Sequence, residues 1–236
     1  MTVVVVLRKL GVKGVEIKKP EQLDNVSSLI IPGGESTTMA KLAEYHNLFP
    51  ALREFVNTGK PVWGTCAGLI FLANKAVGQK LGGQELIGGL DCTVHRNFFG
   101  SQIQSFEAEV EVPEIAVKEG GPPTFRGVFI RAPGVLEVGP DVQVLADYPT
   151  ANANANEDEN DDNKKKKVIV ALKQGNLLAT AFHPELTSDT RWHSYFLKMV
   201  VEDGRTSIAS HGVEEELNLF QQQQSNKPDL PDLPVF

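Results

Sequence analysis

Short apolar runs alternate along this chain with stretches whose apolar residues recur every three or four positions, the rhythm of an α/β sheet. Runs at residues 3–7, 14–17, 29–31 and 62–63 predict strands, the first a continuous Val-Val-Val-Val-Leu of the kind buried on both faces. Residues 36–44 and 49–58 predict helices, with Gly59 where a C-cap glycine belongs. A further helix is expected after Cys66, running through Leu69, Ile70, Leu72 and Ala73 to about Ala76. Between residues 93 and 112 the period shortens to two, as in Gln102-Ile103-Gln104-Ser105-Phe106, which predicts antiparallel strands added to a parallel core. Strands are expected again at 127–130, 142–148, 168–173 and 177–181, the last two joined as a hairpin around Gln174-Gly175-Asn176. A closing helix at about 191–201 carries Trp192, Tyr195, Phe196 and Met199 at helical spacing.

Two segments break the rhythm. Residues 151–167 hold Ala-Asn repeats, an acidic run and four lysines, with almost nothing to bury. They read as a solvated loop in which the acidic run neutralises the lysines locally. The stretch from about Asp203 contains a polyglutamine tract and Pro-Asp-Leu repeats, and reads as a disordered tail, at least beyond residue 221. The expected organisation is one α/β domain over residues 1–202 with a polar insertion at 151–167, then a tail over 203–236.

Composition narrows the function classes. A 236-residue chain with 41% hydrophobic residues can bury the core of one such domain. Its formal charge of −7 leaves no basic footprint for nucleic acid. No apolar run reaches the roughly 18 residues of a membrane span, and residues 1–7 are too short for a signal-peptide core. Two cysteines, Cys66 and Cys92, make no disulfide framework and suit reduced thiols in the cytoplasm.

Candidate chemistry centres on two motifs. Gly64-Thr65-Cys66-Ala67-Gly68 follows an apolar strand and precedes a helix: a G-x-nucleophile-x-G elbow with cysteine as nucleophile. Such a turn holds its central residue in strained backbone geometry, and a side chain at either flanking glycine would strike the neighbouring strand or helix. The start of the helix favours an anion at the sulfur, and the Ala67 N–H points where a tetrahedral oxyanion would form. A lone cysteine is ordinarily a small buried apolar residue, the reading kept for Cys92. Downstream, Ala181-Phe182-His183-Pro184-Glu185 closes an apolar strand. Residues two apart on an extended chain share a side, so Glu185 can fix the His183 tautomer while His183 exchanges protons with the thiol and the leaving amine. His46, His95, His193 and His211 lack this context and read as spare or surface histidines.

With both motifs in hand, the chain resembles the class I glutamine amidotransferases, and within them the glutaminase subunit of pyridoxal 5′-phosphate synthase, especially its plant form. The resemblance rests on Pro32-Gly33-Gly34-Glu35-Ser36-Thr37-Thr38, the cysteine elbow, His95-Arg96-Asn97-Phe98-Phe99-Gly100, Phe129-Ile130-Arg131-Ala132-Pro133 and Phe182-His183-Pro184-Glu185-Leu186. It implies a three-layer, flavodoxin-like domain with a mostly parallel central sheet and added antiparallel strands. It implies a Cys66–His183–Glu185 triad that hydrolyses L-glutamine without metal or cofactor. Gly34, Glu35, Ser36, Arg96, Ile130 and Arg131 would line the glutamine pocket, with Gly34 and Ala67 N–H groups as oxyanion donors. The implied partner is a (β/α)₈ synthase subunit that receives the ammonia. Read without the family, Pro-Gly-Gly-Glu-Ser is a turn into a capped helix, and Arg96 and Arg131 are surface cations.

One stretch departs from the family pattern. Residues 3–7 run at once into Arg8-Lys9-Leu10-Gly11-Val12, so that about a dozen residues of loop and helix are missing, roughly what a right-handed parallel crossover needs. The runs at 3–7 and 14–17 therefore cannot both be neighbouring parallel strands. This opens a second reading, a catalytically impaired paralogue or splice form with a weakened response to the synthase. A hydrolase of another pathway on the same scaffold is disfavoured by the Pro32–Thr38 and Arg96–Gly100 motifs, and a plain binding module leaves the elbow unexplained.

Overall fold

The computed structural model describes residues 2–78, 83–100, 105–150 and 167–209. Residues 151–166 of the insertion expected at 151–167, and residues 210–236 of the tail expected from 203, lie outside the described residues. The chain divides into two units, Met1–Val200 and Val201–Phe236, and the site lies in the first.

That unit is built on an eight-stranded sheet. Strands β1 (Leu29–Ile31), β2 (Val62–Thr65), β3 (Ala73–Val77), β4 (Leu90–His95), β7 (Gly134–Val138), β9 (Lys167–Gln174) and β10 (Leu177–Thr180) run in the spatial order β1-β2-β10-β9-β7-β4-β3. An eighth strand, β8 (Gln143–Pro149), pairs with β9. The site is carried by β1, β2 and β10, which are parallel and in register at Ile31, Gly64 and Ala179. β2 is buried along its whole length, as a two-faced apolar strand must be. The predicted hairpin forms: β9 and β10 are antiparallel around Gly175 at φ +54°. β5 (Ser105–Glu111) and β6 (Thr124–Ile130) form a separate antiparallel pair, so the alternating segment makes its own ribbon besides contributing β4 to the main sheet.

Helices cover both faces. α2 (Ser36–Tyr45), α3 (Leu48–Asn57) and α4 (Ala67–Leu72) lie on one side, where Phe49 of α3 meets Phe71 of α4 with ring centroids 5.9 Å apart. A Cβ on Gly64 would point at the Gly68 backbone, so Val62 and Gly64 face α4, while Trp63 and Thr65 face the other side. There α6 (Arg191–Ala209) presents His193 and Phe196 to Trp63. α6 continues past the predicted end near Val201. A short helix not anticipated from sequence, α5 (Pro113–Glu119), follows β5, and β7 was likewise not anticipated.

Three expectations are corrected. The helix after Cys66 ends at Leu72 rather than near Ala76: residues 67–73 are buried, whereas Asn74 and Lys75 are exposed and join β3, which pairs in parallel with β4. Lys167 belongs to β9, pairing with Asp147 at 2.9 Å, and not to the preceding loop. The largest correction is N-terminal. Residues 3–7 are not a strand but part of α1 (Val3–Lys9), and residues 14–17 form no strand. α1 ends in a Schellman motif, with Gly11 at φ +80°, its N–H bonded to Arg8 O at 3.0 Å and the Val12 N–H to Leu7 O at 2.9 Å. A Val-rich run prefers a pleated surface, but only with a partner strand within reach. Here six residues separate the two runs, too few for a parallel crossover between them, and residues 3–9 satisfy their backbone with local helical hydrogen bonds instead. β1 is consequently the edge strand of the sheet.

Candidate active site

The elbow is tightly constrained. Cys66 adopts φ 49°, ψ −102°, one of three non-glycine residues at positive φ among those described. Its amide donates to Thr180 O of β10 at 2.8 Å, which fixes the turn against the sheet. The flanking glycines are required as expected. A Cβ on Gly64 would lie 2.4 Å from the Gly68 carbonyl, and one on Gly68 would lie 2.0 Å from Ile31 O of β1. Strain at Cys66 is thus sustained by backbone on both sides. Ala67 opens α4, so its N–H has no acceptor within the helix. The Cys66 sulfur lies 3.8 Å from the Ile130 carbonyl oxygen at the end of β6.

His183 reaches the elbow from the far end of β10. Its backbone N–H donates to Val128 O of β6 at 2.9 Å. The side chain of Cys66 is within hydrogen-bonding reach of the imidazole, and His183 Nδ1 donates to Glu185 Oε1 at 2.9 Å. Strand alternation is not what brings the pair together. The chain leaves β10 at Thr180 and turns at residues Pro184–Leu186 into a single 3-10 turn capped by His183. The proline supplies the fixed φ that starts this turn. His183 is 9% exposed and Glu185 8%. Burial opposes a charge on the imidazole, but hydrogen bonds and charge from Cys66 and Glu185 overcome it and push its pKa up to about 10.

Gly33 completes the arrangement. A Cβ there would stand 2.2 Å from His183 Cε1 and 3.1 Å from Cys66 Cβ, so its bare backbone lies close to both side chains. It lies in the Pro32–Thr38 motif but was not singled out from sequence. Its demand is a close approach visible only in three dimensions.

The remaining predicted pocket residues gather unevenly. Ser36 is buried and accepts a hydrogen bond from Arg96 Nη2, so segments sixty residues apart meet here. Arg96 Nε is buried with no hydrogen-bond partner among the described residues. Gly34 follows Gly33 directly. Ile130 presents its carbonyl to Cys66, and Arg131, exposed, follows at φ 44°. Glu35 turns back instead to cap α2, accepting from Thr37 N–H at 3.2 Å and Thr38 N–H at 2.7 Å. Hydrogen bonds from the Thr37 and Thr38 side chains, then their amides, hold its carboxyl down to about 2. Cys92 is buried in β4, where burial and then Asp91 push its thiol up to about 12, an unreactive state. His46 is exposed as expected, whereas His193 is 1% exposed and not a surface residue. Its position three residues before Phe196 on an apolar helical face was the available signal. His211 lies outside the described residues. No helix among the described residues is long and apolar enough to cross a membrane.

The SNO glutamine amidotransferase family matches residues 3–202. This chain belongs to that family. Among its relatives, the probable pyridoxal 5′-phosphate synthase subunit PDX2 of Arabidopsis thaliana is 66% identical over 239 residues, covering 98% of this chain and 92% of the relative. A pyridoxal 5′-phosphate synthase subunit PdxT from Pelotomaculum thermopropionicum is 44% identical over 200 residues, covering 85% and 89%. A crystal structure described as a glutamine amidotransferase superposes with a TM-score of 0.66 at 39% identity, covering 83% of this chain and 90% of that one. The mixed α/β architecture is therefore that of a class I glutamine amidotransferase.

Proposed function

We propose that this family member hydrolyses L-glutamine to L-glutamate and ammonia, and that the ammonia is handed to a (β/α)₈ synthase subunit making pyridoxal 5′-phosphate. The observation that carries the chemistry is the strained Cys66 elbow facing an imidazole that Glu185 orients at 2.9 Å. The Cys66 thiolate attacks the side-chain amide carbon of glutamine. Negative charge moving to the amide oxygen is met by the Ala67 and Gly34 N–H groups. As the tetrahedral intermediate collapses, the C–N bond breaks and His183 gives its proton to the departing nitrogen, leaving a glutamyl thioester and ammonia. Water then attacks the thioester while neutral His183 accepts its proton. Glutamate departs, and the thiolate–imidazolium pair is restored.

Substrate recognition falls to Gly34, Glu35, Ser36, Arg96, Ile130 and Arg131. Arg96, held by Ser36 with a buried Nε, suits the α-carboxylate, and Glu35 Oε1 or backbone carbonyls suit the α-ammonium. The PDX2 and PdxT names of the relatives support the synthase partnership, and two free cysteines suit a reducing cytoplasm. Neither nucleic acid nor membrane enters this reading.

The decisive measurement is ammonia release from glutamine, with and without the synthase subunit, for the wild type and Cys66→Ala. Turnover is expected only with Cys66 in place. Activity persisting in Cys66→Ala would overturn the assignment.

One observation favours the second reading. Residues 3–7 form α1, so the strand that the resemblance implies there is absent among the described residues and β1 is the sheet edge. The triad is intact, so the expected defect lies in synthase-stimulated turnover rather than in Cys66 labelling by a glutamine-like chloroketone. Full stimulation by the synthase would refute this reading.

A further inference from the structure

Behind Glu185, on the α6 side of β2, lies a set of buried polar groups that glutamine hydrolysis does not use. Thr65 faces this side together with Trp63, and it is in register with Thr180 on β10. Thr65 and His193 are each 1% exposed, and the His193 ring stands edge-on to Trp63 with centroids 4.9 Å apart. Glu185 spends Oε1 on His183. Its buried Oε2, the Thr65 hydroxyl and both ring nitrogens of His193 have no hydrogen-bond partner among the described residues.

Buried polar groups in folded proteins are paired, with protein or with ordered water. Buried polar groups that lack a direct bond are the setting in which buried water makes about three hydrogen bonds. Donor and acceptor capacities match here. A neutral imidazole offers one N–H and one acceptor nitrogen, Thr65 offers one of each, and Glu185 Oε2 accepts only. Burial first, against an opposing pull from Glu185, takes the His193 pKa down to about 4, so the ring is neutral throughout the working range. Glu185 is the charged group acting on His193; β2 meets the ring with Trp63, which does not ionise.

We propose that His193 is a positioning residue for the triad: with Thr65, and through buried water, it holds Glu185 Oε2 so that Oε1 stays aimed at His183. The triad then has a fourth member that touches no substrate. Loosening Glu185 destabilises the His183 imidazolium, and with it the thiolate that pairs with that ring.

The inference rests on the triad reading, and one experiment separates the two. The rate of Cys66 alkylation by iodoacetamide is followed against pH in the full chain, for wild type, His183→Ala, His193→Phe, His193→Gln and Thr65→Val. Buried Cys92 does not react in this range. His193→Phe and Thr65→Val are expected to raise the pH midpoint by about one unit, a tenfold slower reaction at neutral pH. His193→Gln, which keeps a donor and an acceptor, is expected to return most of that shift. A structural filler role would make Phe at least as good as Gln. An unshifted midpoint in either folded variant overturns the proposal, and should His193→Phe fail to fold, Thr65→Val decides alone. If His183→Ala leaves the wild-type profile unchanged, the triad reading falls and this inference falls with it. If only the His193 and Thr65 variants are silent, the triad stands without a fourth member.

Discussion

The cysteine elbow and the N-terminal segment are both short, apolar and glycine-punctuated, yet one folds as its sequence indicates and the other does not. At the elbow, every local requirement has a tertiary counterpart. Gly64 and Gly68 are glycines because backbone lies 2.4 Å and 2.0 Å from where their Cβ atoms would be, and the strained Cys66 is pinned by β10. Residues 3–7 carry a stronger strand propensity than β2, but they pair with no strand among the described residues, and they coil into α1. Propensity without a partner in reach decides nothing.

This contrast can be broken or sharpened by substitution. The largest effect is expected for Gly68→Ala, whose Cβ would meet the Ile31 carbonyl oxygen, a backbone atom that cannot turn away. A loss of about 3 kcal/mol in urea unfolding, together with loss of Cys66 labelling, is the expected outcome. A stable, reactive variant would show the elbow to be less tightly determined than its geometry states. Gly33→Ala places a methyl against His183 Cε1 and should act on the chemistry more than on the fold. Glutamine turnover should drop about a hundredfold for a displacement of this size, with the unfolding midpoint little changed.

Next in size is a pH effect peculiar to the elbow. The folded His183 pKa is raised from its ordinary 6.5 to about 10, so the stabilisation from its imidazolium is fully present below the unfolded value and is lost as pH rises through the folded one. Wild-type stability should decline across that window, and Glu185→Gln should flatten the decline. Parallel curves for the two proteins would mean that Glu185 does not support the charged ring. The smallest effect belongs to the N-terminal region. Gly11→Ala meets no neighbouring atom but forces a side chain into φ +80°, costing about 1 kcal/mol in chemical denaturation with Cys66 labelling untouched. A change in labelling would show α1 to be coupled to the site.

Much of the candidate site was legible from residue order. The elbow glycines, Cys66, His183, Glu185 and the Pro32–Thr38 turn each announce a backbone or proton-transfer demand that few other sequences meet. Gly33 and His193 were not legible in the same way. The need for a bare backbone beside His183, and the burial of His193 against Trp63, arise from segments more than a hundred residues apart. Arg8-Lys9-Leu10-Gly11 was a helix-ending signal that the valine run outweighed.

By itself, then, the sequence determined local geometry around the elbow: that β2 is buried on both faces, that a glycine-flanked turn follows it and a helix starts there, and which side chains are available as nucleophile, base and orienter. Those properties depend on neighbours a few positions away. Only the tertiary structure decided that His183 and Glu185 meet across a 3-10 turn, that Ser36 holds Arg96, that His193 is buried behind the carboxylate and that residues 3–7 leave the sheet. Each of these turns on which distant backbone stands within a few ångströms, and the pattern along a chain does not encode that distance.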